Sequence, residues 1–325
     1  MNAIGHFSRC LLFQRSSIAV ALLELWLCLS PTRGEAIAQG LSVAELKSVV
    51  NRMIESGQLD RAESILRQEH ALKGESAEIS FLEAALLFKQ KRHQESLTKL
   101  RACLENKMET AEVYKLIASN GVLLDRLEIV EPALTAAIRL APNDHLAHFH
   151  MGMLYYTTSR FASAEQELLK VVSLSASFAK GYDMLGQVRE EIGTDQSAIA
   201  AYLRAIELVE KQKQKDELPH LHLAKFLWLR NRVEESLAPA QRAAELNPDS
   251  SEALYVLARA LSKLGKDNEA MPLLHKIIQR DPGFPDSHYL LGRVLLKKGQ
   301  EEEGRQEIQI FEAIKKRAPG KQTPR

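Results

Sequence analysis

A period of 34 residues constrains this chain more than any other feature. Windows opened at Val43, Ala77, Ala111, His145 and Ala179 follow one another without a gap, and windows opened at Glu217, Ser251 and Pro285 continue after four extra residues, Lys213 to Asp216. The eighth position of the window reads Val50, Ala84, Ala118, Gly152, Gly186, Ala224, Ala258 and Gly292, so only Val50 is not small. The twentieth reads Ala62, Ser96, Val130, Ala164, Ala198, Ser236, Ala270 and Gly304, with Val130 the loosest match. Position thirty-two is Pro142, Pro248 and Pro282 in three copies, where a missing donor and a ring clash stop a helix. Self-similarity at this period points to an array of small units that bury their apolar faces on one another, not to a single closed core.

Each unit reads as a pair of helices. In the fourth copy Phe149, Gly152, Met153 and Tyr156 fall at helical spacing, Ser159 and Arg160 form a turn, and Ala164, Leu168 and Val171 carry a second apolar stripe. The run Tyr182 to Gly186, followed by Gly193, Ala198, Tyr202 and Ala205, and the triplet Asn247-Pro248-Asp249 complete a pattern that resembles the tetratricopeptide repeat over roughly residues 43 to 318. The resemblance implies an all-α fold, a right-handed α-solenoid superhelix of tetratricopeptide helical hairpins. Its expected organisation is five repeats over 43–212, an insertion at 213–216, three repeats over 217–318 with the helix from Arg305 to Arg317 as a solvating cap, and a basic tail over 319–325. With 45% hydrophobic but only 6% aromatic residues, composition suits a stack built from Ala and Leu. Pro132, Pro239 and Pro272 fall at position twenty-two or twenty-three, which the pattern puts close to the start of the second helix, where a missing donor is tolerated.

The first residues form a different segment. Arg9 and Arg15 precede the apolar stretch Ile18 to Leu23, which continues past Glu24 to Leu29, and Ala36-Ile37-Ala38 supplies a small-x-small cleavage signature. Residues 1–38 therefore read as a secretory signal peptide cut after Ala38, with 39–42 a short leader, and the expected location is exported, periplasmic or secreted. Retained as an anchor, the same segment would be the chain's one route to a membrane. Cys28 does not read as a lipidation site, because the bulky Leu27 stands where that signal needs a small residue.

Charge and chemistry narrow the function classes. The whole chain carries 43 basic and 42 acidic residues, and removing 1–38 leaves a neutral remainder, so the basic excess expected of a nucleic-acid binder is missing. Lys315-Lys316-Arg317, with Lys321 and Arg325, is basic only locally and reads as a solvated helix end. Past Cys10 and Cys28 only Cys103 remains, and its place at position twenty-seven reads as a core thiol. His148, His220 and His288 share position four and read as side chains packed inside the hairpins. His150 and His222 share position six in copies a whole repeat apart, too far for one metal ion. No HExxH, GxSxG, Walker or GxGxxG motif occurs. The reading is non-enzymatic, with no cofactor and no metal.

The resemblance further implies a concave wall built by positions two, five, six, nine, twelve and thirteen of each first helix. Here that wall carries Phe81 and Phe88, Phe149 and Tyr156, Trp228, Tyr255 and Tyr289, with Lys225, Arg259 and Arg293 as a basic ladder at position nine. Aromatic side chains and basic groups in a groove suit a partner's extended peptide with acidic side chains or a terminal carboxylate. A two-carboxylate clamp known in the family is not intact: Lys47 and Asn51 match it, but Ala85, Glu112 and Leu116 do not. The expected role is an exported scaffold that binds a protein or peptide partner. The alternatives are a subunit of an envelope enzyme and recognition of a glycan.

Overall fold

The computed structural model describes residues 42–317; the expected signal segment, most of the leader and the basic tail lie outside the described residues. The described chain is all-α and divides into two compact units, one ending at Pro142 and one beginning at Asn143. The division thus falls in the connection between the third and fourth hairpins and not at the four-residue insertion. In the first unit three hairpins follow one another: α1 (Val43–Glu55) with α2 (Leu59–Lys73), α3 (Ala77–Lys89) with α4 (His93–Glu105), and α5 (Ala111–Leu123) with α6 (Leu127–Leu140). The second unit has five: α7 (His145–Thr157) with α8 (Phe161–Leu174), α9 (Ala179–Ile192) with α10 (Asp195–Lys211), α11 (Leu218–Leu229) with α12 (Val233–Leu246), α13 (Ser251–Lys263) with α14 (Asp267–Arg280), and α15 (Pro285–Lys297) with α16 (Glu301–Arg317). Within each unit a second helix packs on the next first helix, and successive first helices touch, as α1 and α3 do in one unit and α11 and α13 in the other.

Local chemistry explains where the helices begin and turn. First helices open on the first residue of the window in every copy but the sixth, where Glu217 is the cap and Pro219 sits in the opening turn of α11. Ser42, Ser76, Thr110, Asp144 and Ser250, each just ahead of a first helix, accept hydrogen bonds from backbone N–H groups of the first turn, satisfying donors that otherwise have no partner in the helix. The turn inside every hairpin places position fifteen in the left-handed region. It is glycine at Gly57, Gly193, Gly265 and Gly299, and Lys91, Asp125, Ser159 and Asn231 take the same conformation with φ of 54° to 62°. Asn and Asp adopt it at least cost among side-chain-bearing residues.

The small residues at positions eight and twenty let the paired helices close on each other. A Cβ at Gly152 would lie 2.9 Å from Leu168 Cγ, and one at Gly292 would lie 2.8 Å from the Gly304 carbonyl oxygen. In the third copy, where Val130 is not small, the relief comes from Gly121 in α5, whose missing Cβ would stand 2.9 Å from a Val130 methyl. His148, His220 and His288 are buried as expected, at 4%, 5% and 3% exposure. His148 and His288 each meet a glutamate nineteen residues on, with Nδ1 2.6 Å from Glu167 and from Glu307. In the sixth copy Pro239 holds the corresponding position, and His220 Nε2 is buried without a hydrogen-bond partner. The Cys103 thiol is buried, donates to the Ala77 carbonyl at 3.4 Å, and is pushed by burial up to about 11.

Three proline expectations need correction. Pro132, Pro239 and Pro272 do not stand at helix starts but inside α6, α12 and α14, at the sixth or seventh residue. The second helices begin at position seventeen, so each proline removes a hydrogen bond to the carbonyl four residues back. Glu128 and Asn268, whose carbonyls lose their donors to Pro132 and Pro272, are solvent-exposed residues. Water can therefore replace the missing bond. The insertion lengthens α10 to 17 residues against 14 in α8 before a short connection to α11. At the chain's carboxy-terminal end, α16 buries only Gly304, with Glu301, Glu302 and Glu303 in its first turn and Lys315, Lys316 and Arg317 in its last, signs that match the helix dipole.

Candidate partner-binding face

In the second unit the first helices α7, α9, α11, α13 and α15 carry most of the residues singled out above. Trp228 and Arg259 form its tightest polar–aromatic contact: the Arg259 guanidinium carbon lies 3.7 Å from the centre of the Trp228 ring and 5.5 Å from that of Tyr255. Successive first helices touch, so position twelve of α11 meets position nine of α13. Stacking holds the cation without an acid at contact distance. Burial pushes the Arg259 guanidinium down from its ordinary value, opposed by Tyr255 and the charge of Asp286, but an arginine starts so high that it stays charged. Its Nε and the Trp228 indole nitrogen are buried without hydrogen-bond partners.

Beside this stack lies a cavity of about 400 Å³ lined by Trp228, Arg259, Ser262, Lys263, Leu290, Arg293, Val294 and Lys297. Four of the eight are basic and none is acidic. Lys297 already bonds Asp267 at 2.6 Å, whereas Arg259, Lys263 and Arg293 have no ion pair among the described residues. Arg293 is exposed, its guanidinium carbon 5.8 Å from the centre of the Tyr289 ring. The cavity can therefore accept an anion while offering Leu290, Val294 and the indole to apolar groups.

The other sequence-selected residues are placed differently. Lys225 is engaged with Glu252 at 2.8 Å, which leaves the basic ladder two free rungs, Arg259 and Arg293. Phe149 and Tyr255, both at position five, are each covered by a phenylalanine at position thirty-four of the same copy: Phe178 at 5.2 Å and Phe284 at 5.5 Å between ring centres. Tyr289 packs on Phe311 at 5.1 Å yet stays 41% exposed. Tyr156 meets Phe161 at 5.8 Å. Phe81 and Phe88 belong to the first unit, Phe81 against the cluster around Leu100 and Cys103, and Phe88 edge-on to His93 at 5.3 Å. Among the described residues no group of three or more His, Cys, Asp or Glu side chains could hold a metal ion.

Sequence reasoning passed over two groups that the structure brings to this face. Lys263 and Lys297 share position thirteen, a periodic signal as readable as the position-nine ladder. Glu190 and Glu191, at positions twelve and thirteen of α9, form the second group. Burial and the adjacent charge of Glu191 push Glu190 up from its ordinary value, against a hydrogen bond it accepts from the Tyr202 hydroxyl at 3.1 Å and the charge of Arg230. Near it, His222 Nδ1 lies 2.9 Å from both carboxylate oxygens of Asp183. Among the described residues no helix is long and apolar enough to cross a membrane.

Comparison with known proteins agrees with this architecture. Two tetratricopeptide-repeat family models match residues 240–271 and 268–311. A curated relative, the TPR repeat-containing protein YpiA of Bacillus subtilis (strain 168), is 23% identical over 261 residues, 71% of this chain; the match spans 62% of YpiA's own length. Among solved structures, a tetratricopeptide repeat protein from Parabacteroides merdae superposes with a TM-score of 0.58 at 14% identity, covering 79% of this chain and all of the other. Pseudomonas aeruginosa pilF gives 0.56 at 14% identity, over 73% of this chain and 96% of the other. These likenesses establish the fold alone. Matched by family models in its carboxy-terminal part and built from the same helical hairpin throughout its described length, the chain carries tetratricopeptide repeats.

Proposed function

We propose that this chain is an exported, non-catalytic scaffold that binds an extended peptide segment of a partner protein on the first-helix face of its second unit. Repeats of this kind generally mediate protein–protein interaction. The observation that carries the reading is the cavity beside Trp228 and Arg259, where a half-buried, charged guanidinium has an aromatic support and no acid of its own. Groups so placed are what a partner's carboxylates and apolar side chains complete. The glycan alternative is less well supported, because the guanidinium at 3.7 Å already covers one face of the indole that a sugar ring would stack on.

The test is chemical crosslinking followed by affinity purification of the full chain from its native cells, repeated with Trp228→Ala and Arg259→Glu. A protein partner captured by the natural chain should fall at least tenfold in yield with either variant. Equal capture by all three chains would move the interface elsewhere. Export is checked on the same preparation by sequencing the amino terminus, for which Gln39 is the expected first residue.

A further inference from the structure

Positions twelve and thirteen close the exposed ends of successive first helices in the second unit, and together they form a row. In chain order it runs Tyr156, then Glu190 and Glu191, then Trp228 and Leu229, then Ser262 and Lys263, then Leu296 and Lys297. Leu229 is 57% exposed although it is a large apolar side chain. The row therefore changes sign along its length: acidic on α9, apolar on α11, and basic on α13 and α15, where Arg259 and Arg293 at position nine reinforce the lysines.

The two ends share one property. Neither Glu190 nor Glu191 has an ion pair among the described residues, although Arg230 lies near enough to act on both through space; Arg230 itself bonds Asp195 at 2.9 Å. At the other end Arg259, Lys263 and Arg293 are likewise without acids at contact. Of these, Glu190 and Arg259 are half-buried while Glu191, Lys263 and Arg293 are exposed beside them. A half-buried charge left unpaired in the free protein marks a place where a partner's opposite charge gains most, because part of the desolvation is already spent.

We infer that the partner segment is itself charge-polarised: a basic residue meets Glu190 and Glu191, an apolar side chain rests on Trp228 and Leu229, and an acidic residue enters the Arg259 cavity. This inference rests on the peptide reading above and adds the order of charges along the bound segment. A uniformly acidic segment would satisfy the cavity but would set like charge against α9, and a uniformly basic one would do the reverse at α13 and α15.

The experiment is selection of a random dodecapeptide display library on the immobilised full chain, with the same selection on two variants. Glu190→Gln combined with Glu191→Lys removes the acidic end while leaving an acceptor for the Tyr202 hydroxyl; Arg259→Glu inverts the cavity. Thermal melting followed by circular dichroism verifies that both variants are folded. The natural chain is expected to enrich peptides with a basic residue on one side of an apolar residue and an acidic residue on the other, in one consistent chain direction, at least tenfold above the starting library. The α9 variant should enrich acidic peptides without the basic residue, and Arg259→Glu should enrich basic ones. Enrichment of uniformly acidic peptides by the natural chain, lost in Arg259→Glu but unchanged in the α9 variant, would overturn the polarity and leave the peptide reading standing. Failure of the natural chain to enrich any pattern would overturn both.

Discussion

At the scale of single residues, contact distance decides what each position tolerates. Gly186 is small because Tyr202, fully buried at the facing position of α10, lies across it: an added Cβ would meet two ring carbons at 2.6 Å. Gly186→Ala should therefore cost about 1 to 3 kcal/mol, and Gly186→Leu more. Urea denaturation measures the loss, and the pair Gly186→Ala with Tyr202→Leu should cost less than the two changes added together, since one ring causes the strain. An unchanged midpoint for Gly186→Ala would contradict the register. His220 gives a pH-dependent counterpart. Burial holds its imidazole below the ordinary value of 6.5, opposed by the charge of Glu210 and aided by that of Arg242. The unfolded chain thus takes up this proton before the folded one, and the stability linked to His220 is intact above about pH 6.5 and falls as pH drops below it. Melting curves at pH 7 and pH 5 should show a smaller acid-induced loss for His220→Leu than for the natural chain; equal losses would refute the assignment.

At the scale of the helix, the array combines regular caps and turns with three local faults. Side-chain caps ahead of five first helices and a left-handed residue in all eight hairpin turns fix where each helix starts and reverses. The prolines within α6, α12 and α14 work against this regularity. Pro272 is exposed, and an alanine there would regain a hydrogen bond to the Asn268 carbonyl without changing the core. Since proline in a helix interior is disfavoured by roughly 3 kcal/mol against alanine, Pro272→Ala should stabilise the chain by about 1 kcal/mol or more, read as a raised denaturation midpoint. A neutral or destabilising result would mean that the proline serves a packing role. The position-thirty-four phenylalanines show the opposite trade: Phe178 and Phe284 forgo a cap and instead cover Phe149 and Tyr255.

At the scale of the whole molecule, the boundary at Pro142 and Asn143 separates two sets of hairpins, and every residue of the proposed face belongs to the second. In repeat arrays stability is close to a sum of unit and neighbour terms, so a compact run of five hairpins needs no distant contact to persist. The fragment 143–317 is expected to be helical, to unfold cooperatively in circular dichroism, and to retain Trp228-dependent peptide enrichment. A fragment without cooperative unfolding would show that the first unit supplies part of its stability.

Much of this was legible in the amino acids alone. The period, the small residues at positions eight and twenty, the buried histidines at position four and the core thiol at Cys103 follow from side-chain size and helical spacing, which are local properties repeated eight times over. The prolines misled because a pattern position does not say how far into a helix it lies, and that depends on where the preceding turn ends. The partners of the candidate residues were beyond the sequence for a different reason. That Lys225 is held by Glu252 while Arg259 stacks on Trp228, that Phe178 and Phe284 cover two rings, and that Glu190 leans on Tyr202 are contacts between separate helices. Side chains with the same position number met different neighbours, so tertiary packing chose which charges were neutralised and which were left without an ion pair.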